Sequence, residues 1–323
     1  MAKASTDKKL CLFLQIEAII YLYMLYYRRK ILLALLDIFK GNLTAKQLQK
    51  YLFLFTRKQI EKAFEFVPYH YGCFSFQANQ DVCTLEKYGY LELNETENGR
   101  FISLKKTGAY LSSLDMFDQS AIRETKEQFG DMSQADLIKY TYQHYPYYAT
   151  KSRIAKDLLN EEELAKVEAQ KRHSEETQLF SIGYEGITLE RYINLLIIND
   201  VHVLCDVRKN AYSQKYGFSK AQLEKACIGV GIKYVHVPQL GIESDKRQEL
   251  RSQKDYDNLF AEYERTTLKN NHDALLYVRS LIDQEKRVAV TCFEKDPKQC
   301  HRTRVANALV ALPNTSYTLK LLS

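Results

Sequence analysis

Tryptophan is absent from the 323 residues, and proline (5) and glycine (12) are scarce. With 46% apolar and 27% charged side chains, that excludes a collagen-like or disordered chain and leaves a globular one. The seven cysteines are odd in number, irregularly spaced and without a CxxC pair. They therefore make no disulfide frame and read as the free thiols of a cytoplasmic protein. An excess of one charge sign is lacking too. A net charge of +6 permits a nucleic-acid partner without demanding one. One long apolar run exists, LCLFLQIEAIIYLYMLYY at 10–27. Gln15 and Glu17 are costly inside lipid and no small-residue cleavage site follows, so the run reads as an apolar helical extension rather than a membrane span or signal peptide.

What is abundant is tyrosine, 24 residues of it. Tyrosine packs, and it also stacks on bases. The cluster LIKYTYQHYPYYATKSR at 137–153 admits either use.

The length suits about two domains. Residues 28–115 carry a helix at 43–60, a break at 64–76 around Pro68 and Gly72, a helix at 81–93, a polar NETENG tip and an alternating RFISLK. A helix running into a hairpin is how a winged helix is written, which predicts a helical, winged-helix-like region contacting DNA or a protein partner. Residues 116–177 read as a helical connector, its charged end at 160–178 an exposed linking helix.

From 178 to 323 strands (178–183, 201–208, 233–238, 288–293, 317–322) alternate with helices (188–200, 219–231, 255–284, 302–310). Such alternation predicts an α/β domain with a mostly parallel sheet flanked by helices. Ligands of open parallel sheets bind beyond the carboxyl ends of the strands, and those ends are rich in chemistry. They offer Tyr184 and Glu185, then Asp206 and Arg208 with Ser213, then Gln239, and finally TCFEKDPKQCHRTR at 291–304 with Cys292, Glu294, Cys300, His301 and Arg302. One shared pocket is expected there.

Three chemistries compete for that rim. Cys300 at a helix start, its pKa lowered by the helix field, would serve a thiol-dependent transferase. Cys292, Cys300 and His301, with Cys205, would suit zinc, but no CxxC is present, and no metal or cofactor is expected. Carboxylates give the leading reading. Asp206 and Glu294 would do acid/base or cation-stabilising work, and His301 would relay a proton. Arg208 and Arg302 would hold phosphate at the helix start, while Tyr184, Glu185, Ser213, Gln239 and Cys300 would shape the pocket. That set suits cleavage of an N-glycosidic bond in a nucleotide or a flipped-out DNA base, as in a DNA glycosylase. A non-catalytic nucleotide sensor is the alternative. Asp206→Ala is expected to abolish activity and leave the fold intact.

LQKYLFLF, FVPYHYGCFSF and DVCTLEKYGYLEL resemble the Panacea, or SocA-like, antitoxin domain. SIGYEG, CDVRKNAYSQKYGFSK, IKYVHVPQLG and above all TCFEKDPKQCHR resemble domain-of-unknown-function family 488, over about residues 179–322. The second resemblance implies a compact α/β domain linked loosely to DNA repair or defence. The first implies fusion to a toxin or defence effector. Together they imply antiviral defence as the setting, while the hydrolase reading rests on the rim residues.

Overall fold

Thr44 shows how closely the chain follows its local signals. Its hydroxyl accepts from the Gln47 amide while the Gln47 side chain accepts from the Thr44 amide, a capping box that starts a helix at Ala45. The computed structural model describes residues 25–97, 99–243 and 250–322. The apolar extension proposed for 1–27 thus lies almost wholly outside the described residues. The chain forms two compact units. The first holds the described residues up to Phe66, then Tyr71–Ala149 and Ile154–Glu163. The second holds Val67–His70, Thr150–Arg153 and the described residues from Leu164 onward.

In the first unit run α1 (Tyr27–Ile38), β1 (Asn42–Thr44) and α2 (Ala45–Thr56), and beyond β2 (Val67–Tyr69) come β3 (Gly72–Phe74) and α3 (Phe76–Lys87). A hairpin of β4 (Leu91–Thr96) and β5 (Gly99–Leu104) follows, then α4 (Met116–Phe129), α5 (Gln134–His144) and the short α6 (Ala155–Leu158). The sheet is antiparallel in the order β1-β5-β4, pairing Leu43 and Leu93 with Ile102. Two expectations shift here. The helix read at 81–93 begins at Phe76, because Ser75 caps it through the Ala78 amide, and it ends before Leu91, which belongs to β4. Residues 116–149 are no connector, since Ala121, Ile122, Phe129 and Leu137 are buried in the same core as Ile31–Leu36 of α1. The tyrosine cluster joins that core as well, with Tyr145 and Tyr148 edge-on to Phe53.

The second unit starts with the latter part of α7 (Glu161–Glu168). The stretch after it, expected to be helical to 178, is irregular before β6 (Gln178–Gly183). Then come α8 (Leu189–Ile198), β7 (Val203–Asp206), α9 (Lys220–Gly229), β8 (Lys233–His236), α10 (Gln253–Tyr263), α11 (His272–Glu285), β9 (Arg287–Cys292), α12 (His301–Val310) and β10 (Leu319–Leu322). The five strands are all parallel, in the order β10-β6-β9-β7-β8. This is the helix-flanked parallel sheet that the alternation predicts. Every residue of β9 and β7 is buried, as central strands of a covered sheet must be. Alternation along the strands sends Val203, Cys205, Val288 and Val290 into one core with Val278 and Leu281 of α11 and Val305 and Leu309 of α12.

Strand order also locates the crevice. From β6 the chain crosses to β7 and on to β8, then reverses to β9 and continues past β6 to β10. The neighbours β7 and β9 therefore lead away in opposite directions, which opens a switch point beyond their carboxyl ends.

One buried charge centre stands out in the first unit. Asp81, wholly buried, accepts from Arg29 Nε at 2.8 Å and from Arg28 Nε. Asp81→Ala removes charge-assisted bonds from both arginines, so a loss of about 1.5–3 kcal/mol is expected in urea unfolding. A change below the scatter of the midpoint would refute a stabilising role.

Candidate functional site

Period two governs what the strand ends present. Val207 follows Val203 and Cys205 toward the α11/α12 face, and Cys292 follows Val288 and Val290 the same way. Asp206 and Thr291, the alternate residues, take the opposite side, where Tyr234 and Tyr192 meet them. The single pocket expected around Asp206, Arg208, Glu294 and His301 is thus two clusters divided by the sheet.

The first cluster is saturated. Asp206 is 0% exposed and accepts from Arg208 Nε at 2.8 and 3.0 Å, from Arg208 Nη2, and from the Tyr234 hydroxyl at 2.6 Å. Arg208 also donates through Nη1 to the Tyr184 hydroxyl (2.7 Å) and the Phe218 carbonyl (2.8 Å). Tyr184 lies stacked on Phe218 at 4.2 Å. Burial raises the Tyr184 pKa, while Arg208 and the Ser213 hydroxyl oppose the rise. Burial works against the Arg208 charge, yet Asp206 holds its pKa above the ordinary value. With its donors engaged in this cage, Arg208 is a structural cation rather than a phosphate ligand. Asp206 is correspondingly its counter-ion, not an acid/base group.

The second cluster sits at the switch point. His301, 1% exposed, binds the Val207 carbonyl through Nε2 at 2.8 Å. A carbonyl only accepts, so Nε2 carries a proton, and in the neutral ring Nδ1 then presents a lone pair. That lone pair faces Cys292 Sγ at 3.7 Å, and Cys292 Sγ lies 3.4 Å from Glu294 Oε2. Cys300, the residue before α12, is 0% exposed. Burial and its contact with Cys292 push its thiol well above the ordinary range. This direction is the opposite of the depression expected from the helix field.

Arg302 is likewise spent internally. It donates to Ser181 Oγ at 3.1 Å and to the carbonyls of Glu294 and Lys295, fastening the loop after β9 to β6. Phosphate binding by Arg302 is therefore not supported. Glu185 accepts from the Lys295 amide at 2.8 Å and steadies the same loop. Ser213 accepts from the Lys215 amide at 3.1 Å within its own loop. Gly183 explains the close approach of loop and strand, since a β-carbon there would lie 2.0 Å from the Glu294 carbonyl oxygen.

Gln239 is exposed and lines a separate cleft of about 360 Å³ with Lys209, Glu243, Tyr263, Thr267 and Asn271. Lys209 and Glu243 pair across it at 2.7 Å. Tyr263 joins this cleft to the switch point, its ring edge-on to His301 at 5.8 Å. Neither Tyr263 nor Tyr234 stood out in the sequence, one lying inside a long helical stretch and the other inside an ordinary strand.

Two substitutions test this description. Asp206→Ala leaves a guanidinium buried and unpaired, so the fold is expected to lose about 3–5 kcal/mol in chemical denaturation. The expectation of an intact fold is thereby reversed, and a loss below about 1 kcal/mol would contradict the cage. Gly183→Ala should cost about 1–3 kcal/mol by forcing the Glu294 loop off the sheet. An unchanged thermal midpoint would show that the loop yields freely.

No curated protein and no solved structure matches the chain. Residues 188–309, which run from the start of α8 nearly to the end of α12 and include the switch point, match the family described as Domain of unknown function DUF488.

Proposed function

We propose that the second unit hydrolyses an N-glycosidic bond in a nucleotide or nucleic acid, with Glu294 as its working carboxylate. The observation that carries this reading is a juxtaposition at the end of β9. The Phe293 ring is 41% exposed, and the next side chain is the half-buried Glu294 beside the switch point. An exposed ring accepts the face of a base. A carboxylate one residue on is suited to activating water or stabilising the sugar cation as the base departs. Exposed Lys295 and Lys298 on the same loop supply cations for phosphate in place of the engaged arginines. Asp206 becomes a positioning residue that holds Arg208 and Tyr184. His301 serves by fixing the loop between β9 and α12 to Val207.

For the first unit, the order α1, β1, α2, then α3 and the β4–β5 hairpin supports the winged-helix, Panacea-like reading, with β2 and β3 inserted between α2 and α3. Its hairpin carries exposed Glu92 and Glu95, with Glu97 at the tip. Arg100 and Lys105 pair with Glu95 and Glu92, so the hairpin carries no excess of positive charge for phosphate, and a protein is the better partner for that surface. Defence against foreign DNA is the setting that both resemblances suggest.

The test is incubation with single- and double-stranded DNA and free nucleotides, bearing ordinary and modified bases, followed by alkali and chromatography of released base. Glu294→Gln should lower release by about 10²–10⁴-fold. Undiminished release by that variant rejects the assignment, and retention of ligand with no released base identifies a sensor instead.

A further inference from the structure

Cys292, Cys300 and His301 are buried, and their sulfur atoms and a ring nitrogen all lie within 4.8 Å of one another. We propose that these three residues bind one zinc ion, with the fourth coordination position facing Glu294. The hydrolase reading treats them only as scaffold, and a zinc site does not depend on that reading.

Three observations converge. The first is donor chemistry, because two thiols and an imidazole form the soft, borderline set that selects zinc among abundant divalent metals. The second is spacing. Tetrahedral zinc, with bonds of about 2.3 Å to sulfur and about 2.0–2.1 Å to nitrogen, sets their separation at roughly 3.5 Å. The 3.7 Å between Cys292 Sγ and His301 Nδ1 needs almost no adjustment. Glu294 Oε2 lies 3.4 Å from the same sulfur, at the range of a neighbouring tetrahedral corner or of a water held there.

The third observation is the orientation of His301. Ligating histidines donate the other ring N–H to a carbonyl or carboxylate, which sets the tautomer and turns the lone pair toward the metal. His301 does this through Nε2 to Val207 at 2.8 Å, leaving Nδ1 aimed at the thiols. The alternating chain of β9 delivers Cys292, and the helix start delivers Cys300 and His301 together. The site therefore needs no CxxC, whose absence argued against zinc in the sequence. Cys205, the fourth residue of the zinc reading, lies outside the group.

Binding would release the thiol protons and join the end of β9 to the start of α12. It would also seat an electrophilic ion beside Glu294. Cys292 and Cys300 joined as a disulfide is the rival state of the same atoms.

The experiment uses the full chain purified under reducing conditions without chelator. Metal content is measured by elemental mass spectrometry. Stripped protein is then titrated with cobalt, whose thiolate charge-transfer and tetrahedral d–d bands report the ligand set. About one zinc per chain and a cobalt thiolate spectrum are expected. Cys300→Ser and His301→Gln should lose both, whereas Cys83→Ser, in the other unit, should lose neither. Should the ligand variants fail to fold, the cobalt spectrum of the native sequence still decides. Absence of metal and of thiolate bands in reduced, folded protein overturns the proposal, as does a Cys292–Cys300 disulfide that persists under reduction. Glu294→Gln keeps all three ligands and should keep its zinc. Failure of base release would therefore leave the metal result standing.

Discussion

A buried ion pair at the end of β7 organises this α/β unit. Asp206 and Arg208, two residues apart, both project to the same side of the sheet and close on each other. A charge removed from water is tolerable only when partners replace its hydration. Here Tyr234 supplies one and Tyr184 with the Phe218 carbonyl supply others. The loops after β6 and β7 are consequently tied through one guanidinium, with β8 joined through the Tyr234–Asp206 bond. Few alternative packings satisfy so many donors at once, which makes the pair a source of specificity more than of net stability.

That cage changes what the rest of the rim can do. Arg208 and Arg302 are committed to internal acceptors, whereas Lys295 and Lys298 on the loop after β9 are exposed. Arg302 in turn holds the backbone of that loop, and Gly183 permits its close approach to β6. This support leaves Phe293 and Glu294 presented at the end of β9 beside the switch. Preorganised support of that kind is what a hydrolytic carboxylate requires.

Across the sheet from Asp206 and Arg208, the same strand ends deliver sulfur and imidazole beside Glu294. Besides its packed side chain, Val207 contributes a carbonyl there that binds His301 Nε2 and leaves Nδ1 facing the thiols. The helix that starts at His301 is pinned to the sheet through this bond and through Arg302. Local helix geometry alone would have made Cys300 reactive. Burial instead dominates and raises its thiol pKa, because little water remains to stabilise a thiolate.

Local pattern determined much of this. Alternation of apolar runs and helical stretches gave the parallel sheet, since parallel strands require crossovers. The residues at the strand ends were also visible as a group, because charged side chains next to buried strands stand apart from ordinary loops. Partnership was not visible. Whether Asp206 acts on a substrate or neutralises Arg208 depends on Tyr234, Tyr184 and Phe218, which are distant in the chain and unremarkable in it. Residues 116–149 read as a connector for a similar reason, their apolar stripe having no stated partner until α1 and α2 supplied one. The division of the rim into two faces rests on strand register, where one residue reverses a side chain's direction. Sequence named the groups that reach the end of the sheet, and only the fold decided which of them neutralise one another.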